Sequence, residues 1–252
     1  GVHPRILTNS ADGTVPLELI QQSIREEDIH SPSTQLICLE NTHNFCQGSP
    51  LKPEYMDKVA VLAAEHGLKI HLDGARLFNA AVALNLEVKS LTRQVDSVMF
   101  CLSKGLSAPV GSLVCGKRDF IKRARKIRKM VGGGMRQAGH LAAAGLVALE
   151  NLVDRLKEDH LNAKLLADKL AFTKGIELDH HGVKTNIIFF KMKHPQIDGD
   201  QFLNQLEEKS IKILMTDPGV FRAVVHREVS KDQVETVAQT INSILTAEGV
   251  TK

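Results

Sequence analysis

The chain has 252 residues, of which 43% are hydrophobic and 24% charged, a composition typical of a globular protein with a sizeable core. The longest apolar runs, such as residues 140–149, fall short of the roughly 20 residues that cross a bilayer, and no secretory leader is visible. A net charge of +3 is too small to indicate nucleic-acid binding. The four cysteines lack CxxC spacing, so we expect reduced thiols in an intracellular compartment, cytoplasmic or mitochondrial. We predict no membrane partner and no metal site.

Short β-rich segments alternate with amphipathic helical segments over the first half of the chain. The predicted strands are at 34–40, 68–73 and 96–103, and the predicted helices between them are at 53–67 and 75–85. Pro53 suits the first turn of its helix and Gly67 suits its end. This order predicts an α/β protein whose sheet is mostly parallel, with flanking helices and right-handed crossovers.

The second half of the chain changes character. Residues 119–170 have a helical pattern, and their later part predicts one long connecting helix. After about Thr173, strands are predicted at 184–192, 212–216 and 221–226, and helices at 200–209 and 231–245. We therefore expect a large domain at 1–150, and a connecting helix with a smaller C-terminal α+β domain at 151–252.

Polar side chains follow each of the three predicted parallel strands. Glu40 ends the first strand, Asp73 ends the second, and Lys104 follows the third within FCLSKGLSAPVG. Ligands of open α/β sheets bind beyond the carboxyl ends of the strands. The sequence therefore predicts an ammonium group and a carboxylate facing each other at the mouth of the sheet.

This pair of groups has two interpretations. A lysine with an accessible amine can form a Schiff base, and pyridoxal 5'-phosphate needs such a lysine together with a carboxylate at its ring nitrogen. Arg76, three residues after Asp73, could reach the same cleft. The alternative is a simple ion pair between Lys104 and Asp73 that caps two strands. Spacing alone favours neither interpretation.

Four motifs add information beyond spacing. They are CLENTHN at 38–44, IHLDGARLFNA at 70–80, SKGLSAPVGSLVCG at 103–116 and RKMVGGGMRQAG at 128–139. In this order and spacing they resemble the low-specificity L-threonine aldolases, which are pyridoxal phosphate enzymes of the aspartate-aminotransferase-like fold. The resemblance implies a PLP-transferase fold of type I over the whole chain. It also implies that the chain starts inside the family's large domain, without that domain's amino-terminal part.

The resemblance assigns roles to individual residues. Lys104 matches the lysine that bonds to the cofactor, and His30 matches a histidine that approaches the substrate hydroxyl, so these two are the implied catalytic residues. The implied cofactor-binding residues are Lys104, Asp73, Arg76, Lys129 and Arg136. The implied substrate-binding residues are Arg222, for the carboxylate, together with Arg76 and His30.

The implied activity is pyridoxal-phosphate-dependent aldol cleavage of L-threonine or L-allo-threonine to glycine and acetaldehyde. This makes the protein a carbon–carbon lyase acting on a small β-hydroxy amino acid, and the family's assembly implies a homo-oligomer, a dimer of dimers. Two alternatives stay open. The chain could be a catalytically impaired scaffold or oligomerisation module, or another pyridoxal phosphate enzyme acting on β-hydroxy amino acids.

Several residues also have purely structural interpretations. His30 follows the acidic stretch REED, where a histidine often caps a helix C-terminus. His43 could be a second polar group in the cleft or could stabilise its loop. Ser107 stands where the family usually has glycine, which matters if the turn after Lys104 needs a positive φ.

The basic stretch KRDFIKRARKIRK at 117–129 contains eight basic residues and one acid. A nucleic-acid-binding helix is one interpretation, but a solvated helix face that also contributes phosphate contacts is simpler. The three glycines at 132–134 could expose amides to an anion or form a close-packed turn between helices.

Overall fold

The computed structural model describes residues 2–179 and 181–246, which form two compact units. The first unit ends at Asp154 and the second begins at Arg155. None of the helices in the described ranges is long and apolar enough to cross a bilayer.

The first unit alternates helices and strands as the sequence predicts. Its elements are α1 (Leu17–Ser23), β1 (Leu36–Glu40), α2 (Pro53–Glu65), β2 (Lys69–Asp73), α3 (Leu77–Leu84), α4 (Val88–Thr92), β3 (Ser97–Cys101), β4 (Ser112–Gly116), α5 (Arg118–Met130) and α6 (Gly139–Asn151). Pro53 occupies the first turn of α2, and Gly67 follows the helix with a φ of +64°. Both positions agree with the expected preferences of proline and glycine at helix ends.

The first sheet has the strand order β1-β2-β3-β4. The pairs β1–β2 and β2–β3 are parallel, which confirms the mostly parallel sheet, and β4 adds an antiparallel edge strand that the sequence did not predict. In the register of β1 and β2, Glu40 lies directly opposite Asp73. Alternate residues such as Ile37, Ile70 and Leu72 are buried in a core shared with α2 and α3. The polar residues at the ends of β1 and β2 therefore share one edge of the sheet.

Helix α5 is the basic stretch identified in the sequence, and none of its described residues is buried. Its apolar side chains are also exposed, including Ile127 and Met130. After the helix, the amides of Gly132 and Gly133 donate to the carbonyls of Lys129 and Arg128. These two amides close the helix end, so the structure favours the turn interpretation of the glycines.

The single long helix predicted before the second unit is wrong. The structure has two helices, α6 and α7 (Leu156–Leu170), separated by residues 152–155. No proline or glycine lies in this break, so helix-breaking residues could not indicate it. Instead, Arg155 precedes α7 and its guanidinium binds the carboxylate of Asp159 one turn later.

The second unit is an α+β fold with its own antiparallel sheet. After α7 its elements are β5 (Ile176–Glu177), β6 (Ile187–Met192), α8 (Gly199–Glu207), β7 (Leu214–Asp217), β8 (Val220–Val224) and α9 (Lys231–Thr246). The strand order is β5-β6-β8-β7. A reciprocal capping box between Asp198 and Gln201 starts α8, which satisfies two backbone amides at the helix end.

Three phenylalanines form the centre of the second unit. The rings of Phe190 and Phe221 stack with centroids 5.4 Å apart, and Phe202 meets Phe221 edge-on at 5.0 Å. All three are almost completely buried. Aromatic contacts of this geometry add about 0.5–1.5 kcal/mol beyond the area they bury, so this cluster stabilises the packing of α8 on the sheet.

Acid should destabilise the protein through His160 on α7. Burial lowers the pKa of His160 from 6.5 to about 4, so folding favours the neutral ring. The associated stability is fully present above pH 6.5 and is lost as the pH falls towards 4, with an upper limit of about 3 kcal/mol. Denaturant unfolding between pH 7 and pH 4.5 measures this loss.

The control for His160 is His160→Gln, which has no titrating ring and should show a shallower loss over the same pH range. Burial also raises the pKa of the neighbouring Asp159. The stability that this shift contributes is present at low pH and is lost as the pH rises through the raised pKa, so it opposes the His160 effect. An unchanged slope in His160→Gln would assign the acid sensitivity to other groups.

Candidate active site

The sharp turn after β2 fixes Asp73 at the edge of the first sheet. Its Oδ1 accepts a hydrogen bond from the amide of Ala75 at 2.9 Å, an arrangement typical of aspartate in turns. The amide of Gly74 donates to the carbonyl of Met99 at 2.8 Å. A Cβ at position 74 would lie 2.7 Å from that carbonyl oxygen, so only glycine allows this approach. Arg76 follows directly and precedes α3.

The loop after β1 is organised by Glu40. Its Oε1 accepts a hydrogen bond from the amide of Asn44 at 3.0 Å, and its Oε2 lies 3.7 Å from Nε2 of His43. The main chain of His43 also bonds to Ser49 and Gly48. His43 therefore stabilises its loop and also faces the carboxylate at the edge of the sheet, so the structure supports both interpretations of this residue.

Asn41 closes the same loop at its far end. Its side chain donates to the carbonyl of Leu51 and accepts from the amide of Leu51, and it is completely buried. By contrast, the buried Oγ1 of Thr42 and Nδ1 of His43 have no hydrogen-bond partner within residues 2–179 and 181–246. A buried polar atom without a hydrogen-bond partner costs about 1–3 kcal/mol. The polar side chains of this loop are therefore only partly hydrogen-bonded.

Lys104 lies in the loop between β3 and β4. This loop is closed by the amide of Leu102, which donates to Gly111 at 2.9 Å, and by the amide of Ala108, which donates to Leu102 at 3.0 Å. Ser107 has a φ of +59°, a left-handed conformation that glycine adopts more easily. The turn after Lys104 therefore does use a positive φ, as the comparison with a glycine at this position suggested.

The side chains of Lys104 and Asp73 are both exposed. No ion pair joins them, and the Lys104 amine has no hydrogen-bond partner in the described part of the chain. The simple ion pair that the sequence left open as an alternative is therefore absent. An amine and a carboxylate on neighbouring strand ends remain accessible to a third group.

A cavity of about 750 Å³ in the first unit reaches this edge of the sheet. It is lined at one end by Glu40, His43 and Asp73, and it extends along β1 towards residues 2–7. Its volume falls within the range of small-molecule sites. Among the described residues, His30 and Lys104 do not line it.

The chain is similar to known proteins in both sequence and fold. The beta-eliminating lyase family model matches residues 1–193. Low-specificity L-threonine aldolase 1 of Arabidopsis thaliana is 45% identical, over 93% of this chain and 66% of its own length. The low specificity L-threonine aldolase of Escherichia coli K12 is 43% identical, over 94% of this chain and 68% of its own length. The chain belongs to the low-specificity L-threonine aldolase family.

Solved structures with a similar fold support the predicted fold of the chain. A threonine aldolase of Leishmania major matches with a TM-score of 0.76 over 97% of this chain and 71% of that chain, at 17% identity. A PLP-dependent aminotransferase of Streptococcus suis matches with a TM-score of 0.68. These matches confirm the predicted PLP-transferase fold. The chain spans about two thirds of the length of the curated aldolases that it matches.

The remaining residues implied by the threonine aldolase resemblance belong to different segments of the chain. His30 is exposed in a turn between Asp28 and Ser31. Because α1 already ends at Ser23, the helix-capping interpretation of His30 is wrong. Lys129 is in the last turn of α5 and Arg136 lies beyond it, and both are exposed.

Arg222 belongs to the second unit, where it lies in the middle of β8. It is half-buried, and burial lowers its pKa. A guanidinium in this setting remains charged at neutral pH because its ordinary pKa is so high. It has lost part of its hydration and can form strong hydrogen bonds with a carboxylate.

Sequence reasoning missed the structural contributions of Ala75 and Asn41. The DGA sequence at 73–75 indicated the contribution of Ala75, because the carboxylate of an aspartate commonly accepts a hydrogen bond from the main-chain amide two residues later and so closes a turn. Asn41 bonds to a residue ten positions away, and no local pattern indicates such a contact.

Proposed function

We propose that this chain carries the cofactor-binding and substrate-binding residues for pyridoxal-phosphate-dependent aldol cleavage of L-threonine or L-allo-threonine to glycine and acetaldehyde. The observation that carries the proposal is the placement of Asp73 and Lys104. They stand at the carboxyl ends of adjacent parallel strands, accessible and without an ion pair between them. Membership of the threonine aldolase family supports the same reaction.

The residues present fit pyridoxal phosphate. Lys104 offers an exposed amine for a covalent bond to the cofactor aldehyde, and Asp73 offers a carboxylate that the Ala75 amide holds in place. Arg76, Lys129 and Arg136 are the further residues that would hold the cofactor. When bound, pyridoxal phosphate withdraws electrons from the substrate α-carbon and so weakens the bond from that carbon to the β-carbon.

The protein's own groups have distinct tasks in this proposal. Asp73 would supply the carboxylate for the ring nitrogen of the cofactor. Arg222 would hold the substrate carboxylate through two parallel hydrogen bonds, which limits how the substrate can turn. His30, or a water that it orients, accepts the proton of the β-hydroxyl group. Loss of the Arg222 fork should therefore reduce the rate as well as the affinity.

Product analysis tests this proposal directly. The full chain, incubated with pyridoxal phosphate and L-threonine, should release glycine and acetaldehyde in equal amounts. Amino transfer from threonine to a keto acid would instead indicate an aminotransferase. Cofactor binding without either product would favour the impaired scaffold.

We also propose that the chain assembles into a homo-oligomer, a dimer of dimers, in an intracellular compartment. The exposed apolar side chains around the end of α5 support the assembly, since Met130, Val131 and Met135 are 75%, 78% and 70% exposed. An isolated chain rarely leaves so many large apolar groups in water next to each other. Light scattering on the purified protein would give the oligomer mass.

A further inference from the structure

Arg222 lies on the face of the second sheet opposite the hydrophobic core. Strand β8 alternates, so Phe221 and Ala223 point into the core and Arg222 lies on the opposite face. The same alternation puts Phe189 of β6 on that opposite face, because its neighbours Ile188 and Phe190 belong to the core. Arg222 and Phe189 therefore share one face of the sheet.

The strand register makes Phe189 a direct neighbour of Arg222. The two residues are partners in the antiparallel ladder of β6 and β8, and Leu214 of β7 is the partner of Arg222 on its other side. Side chains directly opposite each other in an antiparallel pair have Cβ atoms about 4.5–5.5 Å apart. An aromatic ring and an aliphatic side chain therefore flank the arginine.

The arginine's neighbours along its own strand are also apolar. Val220 and Val224 lie two residues away on the same face of β8. This setting explains why burial lowers the pKa of Arg222. A guanidinium is planar and weakly hydrated, and it stacks well on an aromatic face.

We propose that Phe189 is a positioning residue for Arg222: its ring supports the guanidinium and directs the terminal nitrogens towards the substrate carboxylate. The inference rests on the proposed function, in which Arg222 anchors that carboxylate. An unsupported arginine side chain has several rotatable bonds and would lose more entropy on binding. An aromatic neighbour that already restricts the arginine side chain reduces the entropy lost on binding.

The test uses the full chain loaded with cofactor and measures the Kd of L-alanine by titration of the cofactor absorbance. L-Alanine has the carboxylate and the amine of the substrate but no β-hydroxyl, so its Kd reports binding without cleavage. Phe189→Leu keeps an apolar side chain but removes the ring, and it should raise the Kd roughly fivefold. Phe189→Tyr keeps the ring and should retain the original Kd.

A matched control is Phe172→Leu, because Phe172 belongs to the same unit and is 87% exposed. This variant should leave the Kd unchanged. The decisive step is a double-mutant cycle with Arg222→Lys, in which Phe189→Leu should have a clearly smaller effect because a lysine lacks the planar group that stacks on the ring. Thermal unfolding of each variant checks that the fold is retained.

The outcomes distinguish the positioning role of Phe189 from the anchoring role of Arg222. If Arg222→Lys raises the Kd but Phe189→Leu does not, or if Phe189→Leu has the same effect in both backgrounds, the positioning role is overturned. If Arg222→Lys itself leaves the Kd unchanged, the anchoring role of Arg222 fails and the inference fails with it. A ring-dependent effect that is clearly smaller in the lysine background supports the inference.

Discussion

The Lys104→Ala variant is expected to lose threonine cleavage by roughly a thousandfold or more. Alanine has no amine to bond to the cofactor aldehyde, so the variant should also lack the absorbance change that accompanies this bond. The fold should be retained, because the Lys104 side chain is exposed and surface substitutions usually change stability by less than about 0.5 kcal/mol. Glycine release and the absorbance spectrum of the purified protein with cofactor give the two readouts.

A second substitution separates covalent bonding from charge. Lys104→Arg keeps the positive charge, but a guanidinium does not form the bond, so this variant should be as inactive as Lys104→Ala. Lys58→Ala, on the exposed surface of α2, is the matched control and should cleave threonine at the original rate. Activity in Lys104→Arg would mean that Lys104 serves only as a cation, and the proposed role would be wrong.

The Asp159→Asn variant is expected to destabilise the protein by about 3 kcal/mol or more. The Asp159 side chain is completely buried, the Arg155 side chain is 17% exposed, and their closest N–O distance is 2.5 Å. Removing one partner of a buried ion pair typically costs about 3–5 kcal/mol, and Arg155 would keep only its longer contact, 3.7 Å, to the exposed Glu158. Denaturant unfolding of the full chain at pH 7 measures the loss.

The same helix supplies a matched control. Lys164 and Asp168 form an ion pair with the same four-residue spacing, but both side chains are at least 40% exposed. Asp168→Asn should therefore cost less than about 0.5 kcal/mol. Replacing both buried partners with apolar residues, as in Arg155→Met with Asp159→Leu, should recover much of the stability. Equal losses in Asp159→Asn and Asp168→Asn would show that burial does not control this pair.

The sequence was informative where local patterns decide the structure. Strands β1, β2 and β3 begin and end within two residues of the predicted positions, because each is a short β-rich run between turn residues. Their parallel arrangement follows from the intervening helices. The convergence of Asp73 and the Lys104 loop at one edge then follows from topology alone.

Other features depend on contacts between distant residues and could not be predicted. Strand β4 is exposed at all five positions, so it lacks the buried, alternating pattern by which strands are recognised. The break between α6 and α7 has no glycine or proline, and it coincides with the ion pair of Arg155. The positive φ of Ser107 was indicated only by the glycine that the family usually has at this position, since serine itself gives no sign of it.

The uneven distribution of charge has a practical consequence for handling the protein. Residues 117–129 hold seven more basic than acidic side chains, while the whole chain holds only three more. The remainder of the chain therefore carries a net charge of −4, and the near-neutral total hides two opposite regions. Chromatography should reveal this: the protein should be retained on a cation exchanger well beyond what +3 implies, and moderate salt should release it.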